Sequence, residues 1–60
     1  MYLLGDIVKY LPDSKVGTID AIHQRSDGSI QYTVDFGNER EVAIDEELEY
    51  IYDNELNTNL

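Results

Sequence analysis

Sixty residues with no cysteine and a formal net charge of −9 exclude several classes at once. A chain this short forms one domain and buries only about 60 % of the surface its unfolded form exposes, and without cysteine it has neither a disulfide framework nor a thiolate metal site. A field this negative repels nucleic-acid phosphates, so direct DNA or RNA binding is disfavoured.

The apolar pattern has the period of strands. Gly5 to Tyr10 reads as a short first strand, ended by Leu11-Pro12-Asp13-Ser14, whose Pro and Asp-Ser pair are turn chemistry. Val16 to His23 reads as a second strand. Its alternation blurs around Ala21-Ile22, which predicts a bulge or sharp bend there. Gly17 on this strand predicts a close crossing or bend. Ser26-Asp27-Gly28-Ser29 is a hairpin turn, because Asp-Gly supplies the positive φ that tight hairpins demand. Ile30, Tyr32, Val34 and Phe36 then share one strand face, with Gln31, Thr33 and Asp35 on the other.

Gly37-Asn38 makes the next tight turn, and Glu39 to Ile44 returns as a fourth strand with Val42 and Ile44 expected inward. Asp45-Glu46-Glu47-Leu48 predicts a single helical or 3₁₀ turn with Asp45 as its cap. Glu49 to Tyr52 would be the closing strand, and residues 53–60 a flexible acidic and polar tail beyond a single domain of residues 1–52. A helical fold fails because too many β-branched and aromatic residues recur at period 2. The expectation is all-β: a small five-stranded antiparallel SH3-like barrel with a one-turn helix before the last strand. An open antiparallel sheet or an OB-like barrel would also accommodate these strands.

Residues 34–42, Val34-Asp35-Phe36-Gly37-Asn38-Glu39-Arg40-Glu41-Val42, are similar to the Tudor-domain run in which a strand ends in an aromatic followed by Gly-Asn. Gly5-Asp6-Ile7-Val8 resembles the opening of Tudor and other SH3-like modules, and Leu48 stands where such modules place the leucine that plugs the barrel. The likeness covers residues 5–51. Tudor modules hold methylated lysine or arginine in an aromatic cage by cation–π attraction. The resemblance therefore implies a ligand cage with Phe36 as a wall, Asn38 as a polar contact, and Tyr10 and Tyr32 as further walls. The Trp-Tyr-Arg-Ala-like segment of that family is absent, and Lys15-Val16-Gly17-Thr18 stands in its place.

Catalysis is not expected. His23 is the single histidine, and Ser14, Ser26 and Ser29 all read as turn residues, so no nucleophile, base and orienting acid are brought together. A small barrel has little interior in which to separate the pKa values of paired carboxylates. Asp45-Glu46-Glu47 is too compact to wrap a calcium ion, one histidine does not build a zinc site, and no cofactor is expected.

The charge is unevenly spread. Residues 1–34 carry four acids against three bases, a net −1, whereas residues 35–60 carry nine acids against Arg40 alone, a net −8. Asp45, Glu46, Glu47 and Glu49 interleave with Tyr50 and Tyr52, and exposed tyrosine is a frequent interface anchor. These six residues form the candidate partner-binding edge of a non-enzymatic protein–protein interaction module, its partner a larger protein with a basic surface; a homodimer is compatible with the same features. A sharper alternative is an acidic mimic of DNA that inhibits a nucleic-acid-binding protein, and a third is the methyl-ligand reader implied by the resemblance. Asp6 interrupts the apolar start Met1 to Leu4 before a targeting segment forms, and no apolar run approaches the ~20 residues of a membrane span, so a cytoplasmic protein is expected.

Overall fold

A computed structural model describes residues 1–51. It is all-β: β1 (Ile7–Tyr10), β2 (Lys15–Gln24), β3 (Ile30–Asp35), β4 (Arg40–Ala43), a single 3₁₀ turn η1 (Asp45–Glu47) and β5 (Leu48–Tyr50). The strands form one antiparallel sheet in the order β4-β3-β2-β1-β5. β4 and β5 are its two edges, and no ladder joins them among the described residues, so the sheet is not closed by hydrogen bonds. No helix among these residues is long and apolar enough to cross a membrane.

One face of this curved sheet encloses the core, made of Val8, Ile19, Tyr32, Val34, Ala43 and Leu48, with Tyr2, Tyr10, Ile30 and Phe36 packed around it. Each fully buried aliphatic side chain contributes about 1.5–3 kcal/mol. The segment before β1 packs between β3 and β5. The Tyr2 ring meets Tyr32 edge to face at 5.4 Å. Its hydroxyl donates to the Leu48 carbonyl at 3.1 Å, and its backbone N–H donates to the Tyr32 hydroxyl at 3.2 Å. Tyr2 thus connects β3 to β5 where strand pairing does not.

β2 bends at a register shift between Ile19 and Ala21. The irregularity expected around Ala21-Ile22 therefore falls at Asp20, one position earlier. Gly17 pairs with Val8 and is buried. A Cβ on it would lie 2.7 Å from the Asp35 carbonyl oxygen, 2.7 Å from Val34 Cγ1 and 2.8 Å from Phe36 Cδ1. The close crossing read from the sequence is present, and only a residue without a side chain permits it.

The β2–β3 connection closes through the Arg25 N–H donating to the Ser29 carbonyl at 2.8 Å, a loop one residue longer than the tightest hairpin, with Gly28 at φ +91°. Asp27 steadies it by accepting from the Ser29 N–H (2.9 Å) and hydroxyl (2.7 Å), which lowers its pKa. Gly37 (φ +101°) and Asn38 make a two-residue turn closed by the Phe36 N–H donating to the Glu39 carbonyl at 2.9 Å.

Two expectations are corrected in the segment that follows. Val42 and Ile44 do not point inward: they are 55 % and 43 % exposed, and Ala43 is buried between them. The physical reason is register. Ala43 lies opposite Tyr32, and a small side chain is what the buried ring leaves room for. Nor does Asp45 cap η1, which begins after Ile44 with no side-chain cap from Asp45. Glu47 performs that task, its carboxylate accepting from the Ile44 N–H at 3.2 Å while its own N–H donates to the Ile44 carbonyl at 2.9 Å.

Candidate functional site

Two clusters at the rim of the sheet carry the candidate residues, and their electrostatics differ. The first lies at the β3–β4 turn. Tyr10, near the end of β1, and Phe36, just past β3, approach with ring centroids 6.1 Å apart and planes 53° from parallel. Lys15, opposite Tyr10 in the β1–β2 ladder, places its Nζ 5.6 Å from the Phe36 centroid and forms an ion pair with Glu39. The Glu39 hydrogen bond is the main cause of a raised Lys15 pKa. The Tyr10 hydroxyl is also held above its ordinary pKa, first by desolvation and then by Glu47, Glu41 and Asp13.

Of the four cage residues, the fold brings Tyr10 and Phe36 together, with Asn38 exposed on the adjoining turn. Tyr32 is fully buried and offers no surface to a ligand. The cation over the Phe36 face is the chain's own Lys15. A shallow groove of about 430 Å³ runs beside Phe36, lined by Ile7, Val16, Gly17, Thr18, Asp35 and Gly37.

The second cluster is the η1–β5 edge. Because β4 ends with Ala43 turned inward, the chain must reverse within one 3₁₀ turn to deliver Leu48 to the core. That reversal places Asp45, Glu46 and Glu47 in succession along the rim. Their carboxylates have different duties. Glu47 closes the turn. Asp45 lies beside the hydroxyls of Tyr32 and Tyr2, whose pKa values are raised first by burial and then, in part, by this carboxylate. Glu46 is exposed and makes no hydrogen bond or ion pair with the other described residues.

Glu49 faces Lys9 across the β1–β5 ladder, and Tyr50 is exposed opposite Val8. Asp45, Glu46 and Glu47 are consecutive in η1, whereas Glu49 and Tyr50 project to opposite faces of β5, Tyr50 on the side of the buried Val8 and Leu48; Tyr52 lies outside the described residues. Beside η1 is a groove of about 350 Å³ lined by Ser29, Ile30, Ile44, Asp45 and Glu46. The alternation in the sequence hides this groove, because it places Ile30 with Tyr32 and Val34 and points Ile44 inward.

Two further cations are bonded away from this edge. Arg40 bonds Asp20 at 3.0 Å and lies 3.8 Å from Asp35, and Arg25 donates to Gln31 at 3.4 Å. His23 contacts the Thr33 hydroxyl at 3.3 Å on the exposed face. No group of three potential metal-ligating side chains is assembled among the described residues. Compared with known proteins, the chain matches no family model, no curated protein and no solved structure.

Proposed function

We propose that the chain is a non-enzymatic interaction module of SH3-like strand arrangement that docks on a larger, basic protein through its η1–β5 edge. The observation that carries this reading is the uneven use of its cations. Lys15 and Arg40 neutralise Glu39, Asp20 and Asp35, while Asp45 and Glu46 on the rim have no basic side chain bonded to them. Like charges held on a small domain oppose its compaction, and their cost is offset when a basic surface meets them. Tyr50, 39 % exposed on the strand that follows η1, adds the aromatic body that interface anchors supply. β1 lying between β2 and β5, with a 3₁₀ turn before β5, supports the SH3-like assignment. A cytoplasmic location belongs to the same reading.

The test is a photo-crosslinking residue at position 46, used in extract of the source cells, followed by affinity measurements on the captured protein. Tyr50→Ala and Glu46→Lys should each weaken binding roughly tenfold, equivalent to about 1.4 kcal/mol, and added duplex DNA should not compete. Unchanged affinity in both variants would remove the edge from the reading. Competition by duplex DNA, with affinity falling steeply as salt rises, would replace it with DNA mimicry.

A further inference from the structure

We infer that the groove between η1 and the start of β3 is an arginine-accepting pocket; this rests on, and deepens, the reading of the acidic edge. The groove is lined by two isoleucines, two acidic residues and Ser29. Ile30 opens β3 and Ile44 precedes η1, and Ile44 is 43 % exposed although its neighbour Ala43 is buried. Asp45 and Glu46 complete its lining beside them. An arginine matches both parts, since its aliphatic stem covers apolar surface while its planar head forks between carboxylate oxygens.

Among the described residues, no cation is bonded to Asp45 or Glu46. The cation nearest Ser29 in sequence is Arg25, on the same hairpin, but its guanidinium is turned to Gln31. Gln31 and Ile30 are consecutive in a strand and project to opposite faces, so Arg25 is directed away from the groove. The Ser29 hydroxyl is bonded to Asp27. Glu46 makes no bond with the described residues, and Asp45, though beside the Tyr32 hydroxyl, retains lone pairs for further donors. Lysine would satisfy the charge but not the fork, because its ammonium acts as a point charge.

The experiment is a methyl and amide NMR titration of the whole chain with a hexa-arginine peptide, alongside hexa-lysine and the uncharged isostere hexa-citrulline. Hexa-arginine should shift the Ile30 and Ile44 methyls saturably, bind roughly tenfold more tightly than hexa-lysine, and lose to citrulline all of that effect. Glu46→Gln should weaken binding, and so should Ile44→Ser, which leaves every charge in place; the sheet amide pattern reports that each variant is folded. Shifts confined to Glu49 and Tyr50, with the isoleucine methyls still, would overturn the pocket and leave the edge reading standing. Equal binding of hexa-lysine would overturn the assignment to arginine. No shift with any peptide would sink both.

Discussion

The two rims of the sheet are built from similar residue types and put them to different uses. At the β3–β4 turn, acids are matched by cations: Lys15 bridges Glu39 and the Phe36 ring, and Arg40 reaches Asp20 and Asp35. At η1, Glu47 is consumed by the backbone, Asp45 stands beside two tyrosine hydroxyls, and Glu46 has no partner among the described residues. A net charge of −8 over residues 35–60 therefore overstates the field at one rim and understates its concentration at the other. Position in the chain does not decide it. Glu39 and Glu46 are seven residues apart, and only the first meets a cation.

The largest effect expected is at the matched rim, where backbone geometry holds the cations in place. Gly17→Ala puts a Cβ within 2.8 Å of Asp35, Val34 and Phe36 at once, one of these contacts being backbone oxygen that does not yield. Overpacking of this kind costs about 1–3 kcal/mol, a large part of the stability of so small a domain. Denaturant unfolding should show the midpoint falling with an unchanged slope. A variant as stable as the parent would mean that β2 and β3 separate freely there, and that the matched rim is not rigid.

The next effect lies at Tyr2, behind the acidic rim. Tyr2→Phe keeps the edge-to-face contact with Tyr32 and removes the hydrogen bond to the Leu48 carbonyl, a loss of about 0.5–1.5 kcal/mol. The same network sets an alkaline limit. Tyr2 and Tyr32 have pKa values raised above the ordinary 10.0, so folding favours their neutral forms. That contribution is complete below 10.0 and is lost as pH climbs through the raised values. Unfolding midpoints should therefore be flat through neutrality and fall above that point, together with the rise of tyrosinate absorbance. Tyrosines that ionise at their ordinary value without loss of structure would show the network to be dispensable.

Much of the sheet is legible from the sequence because β3 alternates cleanly, and Tyr32 and Val34 are buried as that pattern requires. The error in β4 has an instructive cause. Hydrophobicity favours Val42 and Ile44 over Ala43, yet the Gly37-Asn38 turn pairs Phe36 with Glu39. Counting from that pair brings Val34 opposite Glu41 and Tyr32 opposite Ala43, and residues directly opposite share a face. Turn length fixed the parity, and residue size followed it. The acidic rim is legible as a run of charges, whereas the absence of an ion pair at Asp45 and Glu46 among the described residues is not. Lys15 reaches Glu39 over 24 residues of separation, and Arg40 reaches back to Asp20. Such pairings are set by the β2–β3 and β3–β4 ladders together, not by any local motif. Tyr2 was hidden for the same reason, since its partners Tyr32 and Leu48 are 30 and 46 residues away.

The smallest effect contrasts the rims directly, one charge against one charge. Lys15→Met removes the cation shared by Glu39 and Phe36 and leaves that carboxylate unmatched. Both partners of the pair are well exposed, so water screens much of it. The expected result is a slight destabilisation that shrinks as salt is added. Glu46→Gln removes a carboxylate that no described cation meets, so the unfolding midpoint should stay where it is or rise as repulsion along η1 is relieved. Opposite signs at low salt, converging at high salt, are the signature of one matched and one unmatched rim. If Glu46→Gln destabilises as much as Lys15→Met, with the same salt dependence, then Glu46 has a cation of its own and the contrast between the rims is lost.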